Sequence, residues 1–178
     1  MTDDLAANRE LGRRFREDLW NSGELALADE LFARDCLIHA RVPFPIDFAR
    51  GPDALRHLIF FYHLAFTEIR VTAEQIVAEG DTVVVRWTAR GRHTGHLLGL
   101  PPTGRETVTT GIDMLRIVDG KIAEGWVSWD TLSLFEQLMG LVDGEGSGFL
   151  TLLERFQAAA NETPDGGAAP IGGGKGDR

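Results

Sequence analysis

GIDMLRIVDGKIAEGWVSWD, residues 111–130, alternates apolar and polar side chains on both sides of Asp119-Gly120. A period of two is the pattern of a half-buried strand. Asp-Gly between two such runs favours a two-residue hairpin turn. The stretch therefore predicts two antiparallel strands, the first ending at Val118 and the second starting at Lys121. It also carries two carboxylates in places an apolar core would exclude. Asp113 shares a strand face with Leu115 and Ile117. Asp130 ends the second strand on the face of Trp126 and Ser128, directly before a helical segment.

Working upstream, the same period runs through 69–78 and 82–93 around a turn at Glu79-Gly80-Asp81, and resumes at Arg105 after TGHLLGLPPTG. Within 82–93, Val83, Val85, Trp87 and Ala89 face one way, and Val84, Arg86, Thr88 and Arg90 the other. Before Ile69 the spacing is helical. It marks 4–21 (Leu5, Leu11, Phe15, Leu19), 24–33 (Leu27, Leu31, Phe32) and 53–66 (Leu55, Leu58, Ile59, Tyr62, Phe66). Pro52 suits the first turn of the third helix. A short strand is expected at 35–40. RVPFPIDFARGP, 41–52, is irregular because its prolines fix φ and lack a donor. Another helix follows Asp130. Helices first and an antiparallel four-strand meander after them, with the short strand between the second and third helices, predict an α+β fold. Helices would cover one face of a curved sheet, with a small-molecule pocket between the layers.

Beyond Gly140 the character changes. Residues 141–148 read as a linker. Phe149, Leu152, Leu153 and Phe156 space one face of an extra helix, so 141–160 is linker plus helix. Residues 161–178 hold Gly, Pro, Ala and charge, and are expected to be disordered. The 178 residues, 43% of them apolar, support one domain with a real core. A formal charge of −9 argues against a nucleic-acid partner. The single cysteine, Cys36, allows no intrachain disulfide and no thiolate zinc cluster, and is expected to be a small buried hydrophobe. The N-terminus has no basic region leading into an apolar stretch. No run approaches the roughly 18 apolar residues a membrane span needs. The expected location is the cytoplasm, with no membrane partner.

Several side chains are candidates for chemistry. If the Asp113 face lines the pocket, desolvation disfavours its charged form, and a neutral acid there can donate to an oxygen gaining charge. The alternative is an edge aspartate bonded to a neighbouring strand or to Arg116. Asp130 reads both as the cap of the following helix and as an acid or base at the pocket mouth. His39, at the end of its short strand, is the histidine best placed to act as general base, the alternative being a structural role. His93 and His96 flank Thr94-Gly95 and could assist at a substrate oxygen. Tyr62, Phe66, Trp87, Trp126 and Trp129 are the expected pocket walls. There is no HExxH, no Gly-x-Ser-x-Gly and no P-loop, and no metal site is expected.

The order of elements, together with RGRHTGHLLGLPPTGRETVTTGIDMLRIVDGKIAEGWVSWDTLSLFEQLMG at 90–140, resembles the SnoaL-like polyketide cyclases. These belong to the nuclear transport factor two superfamily, with ketosteroid isomerase and limonene epoxide hydrolase. The likeness covers about Leu5 to Gly140. It is most specific in HTG-x-LLG-x-PPTG followed by GID and DGKI-x-E-x-W-x-x-WD. It implies a cone-shaped α+β barrel over 1–140, wrapped around N-terminal helices and enclosing an apolar pocket. It implies a cofactor-free cyclase of secondary metabolism, a lyase or isomerase, that closes a polyketide ester by intramolecular aldol chemistry. It also implies a homodimer through the open sheet face, where Val84, Thr88 and Trp129 would lie. The family's acid/base maps onto Asp130, the protonated oxyanion-hole aspartate of the isomerases onto Asp113, and the isomerase base region onto His39. The RVPFPIDFAR insert departs from the family's shorter loop and is expected to reshape the pocket mouth. Two rivals stand beside this reading. Epoxide opening would be marked by an arginine, Arg86 or Arg90, paired with Asp113 inside the pocket. A non-catalytic ligand-binding domain would be marked by Asp113, Asp130 and His39 failing to converge.

Overall fold

The computed structural model describes residues 2–40 and 50–142. Helix α1 (Thr2–Arg14) lies directly on the sheet at Gly12, where a Cβ would come within 2.9 Å of Val83 Cγ1 and Val85 Cγ2. At Phe15 the helix widens into a π-helical turn, Phe15–Leu19, before α2 (Trp20–Ser22). Such a turn carries one extra residue. Within it the adjacent residues Phe15 and Arg16 both face inward with Leu19, at 1%, 3% and 0% exposure.

The expected helix over 24–33 is only α3 (Leu27–Leu31). Phe32 instead begins β1 (Phe32–Ala40), with its ring edge-on to Phe15 at 5.1 Å, so a tertiary contact overrides the local spacing. Helix α4 (Pro52–Ala65) starts at its proline as expected and ends one residue early, because Phe66 opens β2 (Phe66–Glu79). Then come β3 (Thr82–His93), β4 (Glu106–Val118), β5 (Lys121–Trp129) and α5 (Thr131–Leu138). Strands β2 to β5 form the expected meander, and Asp119 and Gly120 turn with φ of 49° and 71°, the signs a type I′ hairpin requires. The short strand is longer than expected and pairs in parallel with β5, His39 opposite Trp126. The sheet order is β1-β5-β4-β3-β2, open, with β1 and β2 as edges. Register breaks in β2, between Thr67 and Arg70 and again between Ala73 and Gln75, add residues to one strand. Such bulges bend and twist a strand, which curves the sheet toward the helices.

The core joins Phe15, Leu19, Leu31, Phe32, Ile59, Val83, Val85, Leu115 and Ile122. Cys36 is buried within it, and burial pushes its thiol up, as suits a small hydrophobe. Asp113, Leu115 and Ile117 face the core, while Ile112 and Met114 face outward, as the alternation requires. Among the described residues no helix is long and apolar enough to cross a membrane. Three expectations lie outside the described residues: the linker and helix of 141–160 (past Val142), the disorder of 161–178, and the reshaping of the mouth by 41–49.

Candidate active site

Between the sheet and the helices lies a cavity of about 800 Å³, counting its mouth. Phe15 and Trp20 wall it from the first helical segment, Leu55, Leu58 and Tyr62 from α4, and Phe66, Ile69 and Val71 from β2. Trp87 comes from β3, Ile38 from β1, Val127 and Trp129 from β5, and Leu134 from α5. Tyr62, Phe66, Trp87 and Trp129 thus stand where the sequence reading put them. Trp126, His93 and His96 do not line the cavity. On β5 the inward parity belongs to Val127 and Trp129, so Trp126 and Ser128 face out. The same parity removes Trp129 from the outer sheet face.

Two arginines line the cavity: Arg90, which the sequence reading named and which is exposed, and Arg16, buried and missed by the sequence reading. Arg16 lines the cavity, and its Nη2 donates to Asp113 Oδ1 at 2.6 Å while its Nε donates to Oδ2. The guanidinium Cζ sits 4.2 Å from the Trp87 ring centroid, 4.5 Å from Phe15 and 5.5 Å from Trp20, within cation–π range of all three rings. Asp113, 0% exposed, lies behind Arg16 and not on the wall. Both its oxygens are engaged by the cation, so it anchors Arg16 instead of donating a proton to a ligand. Neither expected arginine is the partner: Arg86 faces the outer side and pairs with Glu74, and Arg90 lines the cavity while both Asp113 oxygens are held by Arg16. The arginine–aspartate pair that would mark epoxide opening is therefore present as Arg16–Asp113. Yet Asp113 itself does not line the cavity, so it is not placed to meet an epoxide there. The clue to Arg16 in the sequence was Asp113 itself, because a carboxylate on a core face demands a cation.

Asp130 is exposed, and its Oδ1 accepts from Ser133 N at 2.9 Å, the cap of α5. It does not line the cavity. Asp130→Ala should cost about 1 kcal/mol of stability, as loss of a cap does, and leave any turnover within about threefold. A true acid/base would lose about 10²–10⁴-fold, so steady-state rates beside a thermal melt decide between the two.

His39 is also outside. Its neighbours Ile38 and Ala40 line the cavity, and the strand's alternation turns His39 away. Its Nε2 lies 2.8 Å from Glu124 Oε1, and its ring stacks on Trp126 at 5.2 Å. This bond, aided by Arg116, holds Glu124 below its ordinary carboxylate range. The exterior pairing gives His39 a surface role, not that of a base at the cavity.

His93 is fully buried against Phe66, at 5.2 Å between rings. Thr103 N–H donates to its Nδ1 at 3.2 Å, which places the ring proton on Nε2, an atom with no partner. Burial, then the charge of the exposed His96, pull its pKa below 6.5. The unfolded imidazole, titrating near its ordinary value of about 6.5, binds the proton more readily than the folded one. Stability is therefore complete above about pH 6.5 and falls as pH drops through that value toward the lowered folded pKa. Urea titrations at pH 7.5 and 5.5 should show a larger drop for the parent chain than for His93→Asn.

Tyr62 completes the wall. Burial pushes its phenol up to about 12, opposed by the neighbouring Trp129 indole, a group that can only donate. The indole N–H groups of Trp20 and Trp87 are buried without partners. Among the described residues no carboxylate and no imidazole lines the cavity, and no three His, Cys, Asp or Glu side chains gather as a metal would require. The arrangement is a mostly apolar cavity with a fixed cation at Arg16, a phenol at Tyr62, and Arg90, Thr107 and Thr109 as its other polar lining side chains. It can hold a neutral carbonyl compound and stabilise negative charge as it develops on oxygen.

The family model for SnoaL-like polyketide cyclases matches residues 10–138. Aklanonic acid methyl ester cyclase DnrD of Streptomyces peucetius is 37% identical over 91 residues, which are 50% of this chain and 62% of that protein. This chain thus spans just under two thirds of the length of that relative. Nogalonic acid methyl ester cyclase of Streptomyces nogalater is 33% identical over 106 residues, 59% of this chain and 78% of that one. Among solved structures, TsrD from Streptomyces laurentii superposes with a TM-score of 0.66 at 30% identity, covering 75% of this chain and 95% of its own.

Proposed function

Because the chain belongs to the SnoaL-like polyketide cyclase family, we propose that it closes a ring in an apolar, carbonyl-bearing polyketide ester without a cofactor. The observation that carries this reading is Arg16, a cation held rigid by Asp113 and three aromatic rings on the wall of an apolar cavity. Ring closure of the aldol type begins when the carbon beside a carbonyl loses a proton and negative charge collects on the carbonyl oxygen. A preorganised cation in a water-poor site stabilises that oxygen more than the neutral ground state. The proton itself leaves to water or hydroxide at the cavity mouth, because no described cavity residue is a base. The enolate carbon then attacks a second carbonyl of the same molecule.

The names of the relatives supply the first substrates to try, aklanonic acid methyl ester and nogalonic acid methyl ester. Aldol closure conserves mass. Purified protein with no added cofactor should convert such an ester to a product of equal mass with one more ring, seen by chromatography with mass detection. Absence of any equal-mass product from either ester would sink the reading. A second reading has its own observation: Asp113, Asp130 and His39 do not converge, as expected of a non-catalytic ligand-binding domain. Saturable binding of the esters with no product would establish that reading instead.

A second copy of the chain is the proposed partner. Val77, Val84, Met114 and Trp126 form one cross-strand row over the outer sheet face. Three of them are 52%, 41% and 38% exposed, in the order Val77, Met114, Trp126. An exposed apolar row of this kind marks an interaction surface. Met114→Glu should turn a dimer into a monomer in sedimentation velocity, with the fold retained. A wild-type chain that sediments as a monomer excludes the dimer.

A further inference from the structure

Arg16 can stabilise an anion but cannot give up a proton, since a guanidinium stays charged throughout the accessible pH range. Aldol closure involves two oxygens. One carries the enolate charge before the bond forms, and the other becomes an alkoxide as it forms. The second oxygen needs a group with a transferable proton.

Tyr62 meets that need. Its ring is fixed by Phe66 at 6.1 Å, Trp20 at 5.9 Å and Phe61 at 6.0 Å. The neighbour that acts on its hydroxyl is the Trp129 indole, which can donate but not accept, so the Tyr62 proton is not spent on Trp129 and Tyr62 lines the cavity. Trp20 is flanked by both groups, with Arg16 Cζ 5.5 Å and the Tyr62 ring 5.9 Å from its ring. Arg16, Trp20 and Tyr62 line the same cavity, so one substrate can offer an oxygen to each of the two polar groups.

We propose that Tyr62 is the proton donor of ring closure, a role that rests on the cyclase reading above. The carbon–carbon bond forms between the enolate carbon and the second carbonyl carbon. The carbonyl π pair moves onto its oxygen, and that oxygen takes the Tyr62 hydroxyl proton. The tyrosinate, steadied by the Trp129 N–H, regains a proton from water. The α-proton has already left to water, so atoms and charge balance and nothing is oxidised. Burial keeps the phenol protonated at neutral pH, and an alkoxide is a stronger base than a phenolate, so the transfer runs downhill.

Tyr62→Phe removes the hydroxyl and keeps the ring packing. With an ester that the wild type cyclises, kcat should fall about 10²-fold while KM stays within about threefold. A second readout needs no turnover. 1-Hydroxyanthraquinone differs in colour between its phenol and phenolate forms, and an O–H donor at its oxygen favours the phenolate. The titration midpoint of the bound probe should rise by about one unit in Tyr62→Phe. Trp129→Phe, which removes the supporting N–H, should lower kcat by about tenfold and leave the probe bound. A wild type that cyclises while Tyr62→Phe loses less than about threefold overturns the role of Tyr62 alone, as does an unchanged midpoint. A wild type that binds the probe but cyclises no ester overturns the cyclase reading, and the role of Tyr62 with it.

Discussion

Asp113→Ala is expected to lower the unfolding free energy by about 3–5 kcal/mol, because it strands a charged guanidinium in the interior. Arg16 and Asp113 are 3% and 0% exposed, so water cannot replace the lost partner. A domain of this size is stable by roughly 5–15 kcal/mol in all, and the loss is a large share of it. Urea denaturation should show the midpoint falling with an unchanged slope. Because the pair is buried, molar salt should not mask the effect, whereas salt screens exposed charges. A loss below about 1 kcal/mol is the behaviour of a surface pair and would contradict the buried geometry.

The second large effect separates stability from chemistry. Replacing a buried ion pair by apolar groups of similar volume is often neutral or stabilising. The double variant Arg16→Met/Asp113→Leu should therefore recover stability to within about 2 kcal/mol of the wild type. Its turnover should nonetheless fall about 10²–10³-fold, the usual effect of removing one oxyanion-stabilising donor. Equal loss of both properties would mean that Arg16 is merely structural. Retained turnover in a stable double variant would remove it from the mechanism.

The reading of alternation was reliable wherever one strand face was buried. Asp113, Leu115 and Ile117 share the inner face as expected, and Val83, Val85 and Trp87 are buried together. The same rule, carried through β5, already separated Trp126 from Trp129. The two cannot share the cavity wall, and only Trp129 lies there. Phe32 has helical spacing from Leu27 and Leu31, yet its contact with Phe15 draws it into β1. The family motif in 90–140 was legible and correct, but a motif says which residues are present, not which way they point. Asp130 and His39 carry suitable chemistry and face away from the cavity.

The order of residues alone determined the meander, the hairpin at Asp119-Gly120, the amphipathic helices and the family, because these rest on local periodicity and turn chemistry. Only the tertiary structure decided what Asp113 does. Its partner, Arg16, lies 97 residues away in the chain and reaches it through a widened helical turn that no short-range pattern announces. Long-range pairing of this kind depends on how helix and sheet pack, and packing sets which charges lose their water and must find each other.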